Sequence, residues 1–239
     1  MVYPRTAKPA IILIGINSLP GIQAVRLFSR RNVPVIGLTD DLRHPYSRTR
    51  LCERIIEADV KGEGWVHQLV RMAPELPGRP LLLPCQDMPV LHLSRHRDLL
   101  APHYRFLLPA RDTVETLVRK EDFYGLAEKL GIPSPRTVYL REAADVETAV
   151  RTLPFPCLLK PSTRNAAWQQ LTHLKVIEIP DPESLRREYL RYRNAADCLI
   201  AQEWIQGPET GLYSVNCLFD RHCNPQATFV ARKIRQWPP

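Results

Sequence analysis

No apolar run in this chain is long enough to cross a membrane as a helix: residues 10–16, the strongest near the start, fall far short of the roughly 20 that a span requires. No small-residue cleavage site follows that run, so no secretory leader is expected, and the setting expected is cytoplasmic. The six cysteines (Cys52, Cys85, Cys157, Cys198, Cys217, Cys223) include no CxxC pair and no histidine at ligand spacing. That absence argues against a structural zinc site or a disulfide framework, and buried free thiols are the expectation. Acidic charge is also short, leaving a net charge of +8. The arginines nevertheless fall singly or in pairs, as in Arg30-Arg31 and Arg186-Arg187, at helical spacing opposite apolar positions, so solvated helix faces rather than a nucleic-acid surface are expected. What remains, 44% hydrophobic and 24% charged residues in 239, is an ordinary globular composition with room for one large or two small domains.

The first half reads as α/β with a parallel sheet. Residues 10–14 form a continuous β-branched run suited to a strand covered on both faces. A turn through Gly15 and Gly21, a helix over 22–31 and a strand over 33–38 complete a βαβ unit, for which a right-handed crossover is expected. Further strands are predicted over 54–58, 80–84 and 104–108, with helices over 64–72 and 88–100. Gly15, Gly21 and the Asp40-Asp41 pair ending the second strand invite a dinucleotide site. The middle glycine of GxGxxG is missing, however, and Pro20 sits where the helix begins, so an NAD(P)-dependent oxidoreductase is kept only as a rival reading. Asp87 is open to two roles, facing a ligand at the carboxyl end of the sheet or capping a helix.

The second half has a different order, α+β. A helix opens at Asp112, and another begins at Lys120 with Phe123, Leu126 and Leu130 on one face; Gly131 and Pro133 then stop it. Strands are predicted over 137–140, 155–160, 174–179, 198–205, 212–219 and 227–232, with helices over 142–153 and 182–192. Lys160 closes one apolar strand, and the strand ending at Ile205 breaks into an acidic turn at Glu209. A lysine at a strand end beside an apolar strand can meet phosphate while the neighbour covers a base.

Five segments in order, Lys120 at its helix start, Leu130-Gly131-Ile132-Pro133-Ser134-Pro135, Phe155-Pro156-Cys157-Leu158-Leu159-Lys160-Pro161, Gln202-Glu203-Trp204-Ile205-Gln206-Gly207-Pro208-Glu209 and Arg232-Lys233-Ile234-Arg235-Gln236, resemble the ATP-grasp superfamily. The resemblance implies a pre-ATP-grasp domain over 1–111 and the amino-terminal part of an ATP-grasp domain over 112–239. It implies that Lys120 and Lys160 touch nucleotide phosphates. Gln202, Glu203, Trp204 and Ile205 would run along the adenine, Glu209 would reach the ribose, and Arg232, Lys233 and Arg235 would face the γ-phosphate or the substrate carboxylate. Core packing for Trp204, and a solvent-facing basic strand for Arg232, Lys233 and Arg235, remain open beside these roles.

The phosphate loop of many such enzymes is glycine-rich, whereas residues 162–170 contain no glycine. Ser162, Thr163 and Arg164 are then the side-chain donors expected, with Lys175 as a compensating charge. The implied chemistry is ATP-dependent activation of a carboxylate as an acyl phosphate, which an amine or thiol attacks. The partners implied are ATP, Mg2+, a small carboxylate and an amine or thiol acceptor, with a homodimer open as the assembly. The magnesium ligands are expected beyond residue 239, so the chain as written is expected to be catalytically incomplete. A non-catalytic nucleotide-binding module is the other reading.

Overall fold

The computed structural model describes residues 9–162, 166–196 and 198–235. The chain divides into two compact units, Met1–Val118 and Arg119–Pro239.

In the first unit, β1 (Ile11–Ile14), β2 (Val35–Thr39), β3 (Arg54–Glu57) and β4 (Leu81–Pro84) form a parallel sheet in the order β3-β2-β1-β4. All of β1 is buried because both faces are covered. Ile11 and Leu13 pack with Ile22 and Val25 of α1 (Leu19–Ser29), while Ile12 and Ile14 pack with Trp65, Val66 and Leu69 of α2 (Gly64–Met72). This is why the run has no alternation. Between β1 and α1 the chain needs two glycines. Gly15 sits at φ +89, and a Cβ at Gly21 would lie 2.4 Å from the Gly15 carbonyl oxygen. Ser18 caps α1 by accepting from the Gly21 N–H at 3.1 Å, with Pro20 in the first turn.

Three expectations for this unit change. The helix over 88–100 is two, α3 (Asp87–Arg95) and α4 (Arg97–Leu100), broken at His96, where Arg97 Nε donates to the Ser94 carbonyl at 3.1 Å. Asp87 is the first residue of α3 rather than its cap, which is Gln86. The strand over 104–108 reduces to one bridge, Leu81 to Arg105. Its residues serve the core instead: Tyr104 is buried and donates to the Leu69 carbonyl at 2.6 Å, and Phe106 and Leu108 pack against the same cluster. The last helix of this unit is α5 (Arg111–Val118).

The second unit begins with α6 (Lys120–Lys129) and contains an antiparallel sheet in the order β5-β8-β6-β7. Its strands are β5 (Thr137–Leu140), β6 (Cys157–Pro161), β7 (Ile177–Ile179) and β8 (Leu199–Glu203). One face, with Leu140, Cys157, Leu159, Ile179, Leu199 and Ala201, is buried against Val146 and Ala149 of α7 (Ala143–Thr152) and Leu185, Tyr189 and Tyr192 of α9 (Pro182–Tyr192). Both helices start where their caps dictate. The Glu142 N–H donates to Asp145 at 3.0 Å in a capping box, and Asp181 accepts from the Ser184 N–H at 2.8 Å ahead of Pro182. A short helix, α8 (Ala166–Leu171), stands in what reads as loop in the sequence, and its Trp168 is fully buried. β7 is shorter than the predicted 174–179 because β6 pairs with it only from Cys157 to Leu159. Finally β9 (Tyr213–Phe219) and β10 (Pro225–Arg232) form an antiparallel ribbon.

Two readings of burial are corrected. Phe123 and Leu126 of α6, with Leu130 beyond it, are exposed, and the buried residue of that helix is Ala127. Among the thiols Cys157 and Cys198 are buried and Cys52 and Cys85 half-buried, but Cys217 and Cys223 are exposed in or beside the ribbon, where no layer among the described residues covers them.

Candidate functional site

The second face of the β5-β8-β6-β7 sheet carries polar residues. Thr137 lies directly opposite Gln202, and Leu158 opposite Gln202 on the other side. Side chains two apart on a strand share a face, so Lys160 joins this set diagonally. Lys160 Nζ donates to Gln202 Oε1 at 2.7 Å, and Gln202 Nε2 donates to Thr137 Oγ1 at 2.8 Å. The Lys160 ammonium also sits 5.5 Å from the ring centroid of Tyr124 on α6, a cation–π contact. Lys120 Nζ, from the start of α6, reaches the Pro161 carbonyl at 3.5 Å.

Lys120 and Lys160 are therefore neighbours across the end of β6. Loss of hydration around the Lys120 ammonium, and then the Lys160 charge, lower the pKa of Lys120 from its ordinary value. The partners described for both ammonium groups are neutral: an amide oxygen, a main-chain carbonyl and an aromatic ring. Gln202 itself is only 5% exposed, so its amide must be satisfied within the protein, and it is. A cavity of about 540 Å3 shares Tyr124 and Thr137 with this cluster; Arg136, Tyr139 and Leu153 also line it. That volume is in the range of small-molecule sites.

The structure brings together Lys120, Lys160 and Gln202 from the sequence-derived set. It turns the Glu203 carboxylate away, to accept from the Arg136 N–H at 3.0 Å, with the Arg136 guanidinium 3.5 Å away, and the Glu203 N–H donates to the Arg136 carbonyl at 2.8 Å. Trp204 is half-buried and Ile205 is exposed at 66%. Glu209 and Lys233 lie 3.7 Å apart at the base of the ribbon, where the Lys233 N–H donates to the Leu212 carbonyl. Arg232 pairs with Tyr213 at the ribbon's end, and Arg232, Arg235 and Lys175 are exposed. Thr163 and Arg164 lie outside the described residues. Among the described residues no group of three or more His, Cys, Asp or Glu side chains is placed to hold a metal ion.

Sequence reading missed Tyr124 and Thr137. Tyr124 follows Lys120 by four residues and so shares its helix face, a spacing that is visible in the chain. Thr137 is linked to Gln202 only by strand register. In the first unit, Asp40 at the end of β2 is already engaged: Lys61 Nζ lies 2.8 Å from it and the Asn17 amide donates to it at 2.6 Å. The hydrogen bond from Lys61 is the main cause that holds the Asp40 carboxyl below its usual range.

No protein-family model and no curated protein sequence matches the chain. Solved structures do, and they show the fold, that of the amino-terminal region of ATP-grasp ligases: an α/β unit followed by part of the ATP-grasp unit. N5-carboxyaminoimidazole synthetase from Staphylococcus aureus, complexed with ADP, superposes with a TM-score of 0.69 at 13% identity, covering 94% of this chain and 54% of that one. L-amino acid ligase from Bacillus licheniformis gives 0.65 at 14% identity, with 94% and 50% covered. The biotin carboxylase domain of Hydrogenobacter thermophilus 2-oxoglutarate carboxylase, in complex with MgADP, ADP and bicarbonate, gives 0.61 at 13% identity, with 82% and 44% covered. The chain thus spans about half the length of the structures it matches. No helix among the described residues is long and apolar enough to cross a membrane.

Proposed function

We propose that the second unit binds the phosphates of ATP, with Mg2+, through Lys120 and Lys160, as part of a ligase that activates a carboxylate as an acyl phosphate for attack by an amine or thiol. The observation that carries this reading is the pair of neighbouring ammonium groups whose partners among the described residues are all neutral, beside a ligand-sized cavity that Tyr124 and Thr137 line. Two like charges held together raise the free energy of the empty site, and a polyanion relieves that cost. The likeness to structures holding ADP and MgADP supports the same reading.

In this reading the backbone from Glu203 to Ile205 meets the adenine, while Glu209 serves the ribose and Lys233, Arg232 and Arg235 the transferred phosphoryl or the acid. Lys175 supplies a further charge near the phosphates. Such transfer is largely a matter of positioning and charge neutralisation, which lysines and a bound divalent ion provide without any protein nucleophile. Calorimetric titration of ATP with magnesium tests the phosphate role. Lys160→Ala is expected to weaken binding by roughly tenfold or more, and Lys120→Ala by less, on the scale of lost charge-assisted hydrogen bonds. Unchanged ATP affinity in Lys160→Ala overturns the reading.

A further inference from the structure

The hydrogen bonds behind Lys160 run in one direction. Thr137 Oγ1 donates its only proton to the Pro135 carbonyl at 2.8 Å. Toward Gln202 that oxygen is therefore an acceptor, and the group facing it at 2.8 Å must be the Gln202 NH2. The opposite end of the same amide, its carbonyl oxygen, is then aimed at Lys160, 2.7 Å from Nζ. A flipped Gln202 would set N–H donors against an ammonium and leave Thr137 without a proton to give, so both ends of the amide require the same orientation. Gln202 is buried and cannot exchange these partners for water. Tyr124 closes the side of the ammonium with its ring. An ammonium has three protons; among the described residues Gln202 is the hydrogen-bond acceptor it meets, so two protons can serve a ligand.

We infer that Thr137 and Gln202 are positioning residues that hold the Lys160 ammonium in place by a directed chain of hydrogen bonds, from Pro135 through Thr137 and Gln202, so that it is preorganised for a polyphosphate. The role of the ammonium rests on the nucleotide-binding reading above; the chain of bonds does not. Because Gln202 is neutral, it fixes the position of Lys160 without cancelling its charge, which an acid in the same place would do. Preorganisation lowers the ordering cost of binding and leaves the full charge for the anion.

The test uses the whole chain, with Thr137→Val, which keeps the shape and removes the hydroxyl, and Thr137→Ser, which restores it. In the ligand-free protein, 15N-detected NMR of the Lys160 ammonium is expected to show faster proton exchange and greater motion in Thr137→Val and wild-type behaviour in Thr137→Ser. Inorganic tripolyphosphate is the binding probe. Its affinity is expected to fall roughly three- to tenfold in Thr137→Val, the scale of one lost hydrogen bond, and to recover in Thr137→Ser. A purely structural role for Thr137 would change the melting temperature but not the ammonium signal. An unchanged Lys160 signal in Thr137→Val overturns the positioning chain whatever tripolyphosphate does. A changed signal, with tripolyphosphate binding indifferent to Lys160→Ala, upholds the chain of bonds and overturns instead the phosphate reading on which its purpose rests.

Discussion

The second unit contains two antiparallel systems written in similar residues and placed in opposite surroundings. β8 reads Leu-Ile-Ala-Gln-Glu, and its first four residues are buried. β9 reads Tyr-Ser-Val-Asn-Cys-Leu-Phe, and all seven of its residues are exposed. The cause lies outside either strand. β8 runs between β5 and β6, with α7 and α9 over one face, whereas among the described residues β9 has β10 on one edge only. In the ribbon both faces carry apolar groups: Tyr213, Val215 and Phe219 with Val230 on one, Leu218 and Phe229 on the other. A strand's composition thus states what it is able to bury, and the layers packed on it decide what it does bury.

Core truncation sharpens this contrast most. Leu159→Ala, in β6, is expected to cost about 2–5 kcal/mol, and Val215→Ala, at 64% exposure, to stay within about 0.5 kcal/mol. Urea unfolding of the two variants measures it, and equal losses would break the comparison.

Thiol chemistry offers a second, milder probe. Burial pushes the Cys157 thiol up to about 11, while Cys217 is exposed on the ribbon. At pH 8 only about 0.1% of Cys157 is then thiolate, and access is blocked as well. Iodoacetamide followed by peptide mass analysis is expected to modify Cys217 and Cys223 in the folded protein and Cys157 only after denaturation. Early labelling of Cys157 would show that the sheet opens as readily as the ribbon.

The smallest effect is electrostatic. The folded-state pKa of Lys120 is lowered, so between that value and the ordinary 10.5 the unfolded chain binds more protons than the folded one. From this group alone, stability rises as pH climbs through that window. Polyanion affinity moves the other way, because Lys120 loses its charge there. Urea midpoints and tripolyphosphate titrations between pH 8 and 10.5 are expected to diverge in wild type and to lose part of that divergence in Lys120→Ala.

Much of this architecture is legible in the chain. The unbroken apolar run at β1 announces a strand covered on both faces, and the bounds of α2 and α9 follow from periodicity, with the Asp181-Pro182 cap marking where α9 begins. The two lysines are visible at a helix start and a strand end, and the five segments in order led to the right fold. Less legible were the break at His96, the helix holding Trp168 and the exposed stripe of α6, since each depends on groups distant in sequence.

The sequence by itself determined the order and type of most elements and the positions of Lys120 and Lys160, because helix and strand periodicities are local properties of the backbone. Only the tertiary structure decided that Gln202 points at Lys160, that Thr137 stands behind it, that Tyr124 flanks it and that the Glu203 carboxylate turns to Arg136. Those choices depend on which residue stands opposite across a ladder and on what covers each face. Strand register is set by the packing of the whole sheet, and periodicity along one strand does not encode it.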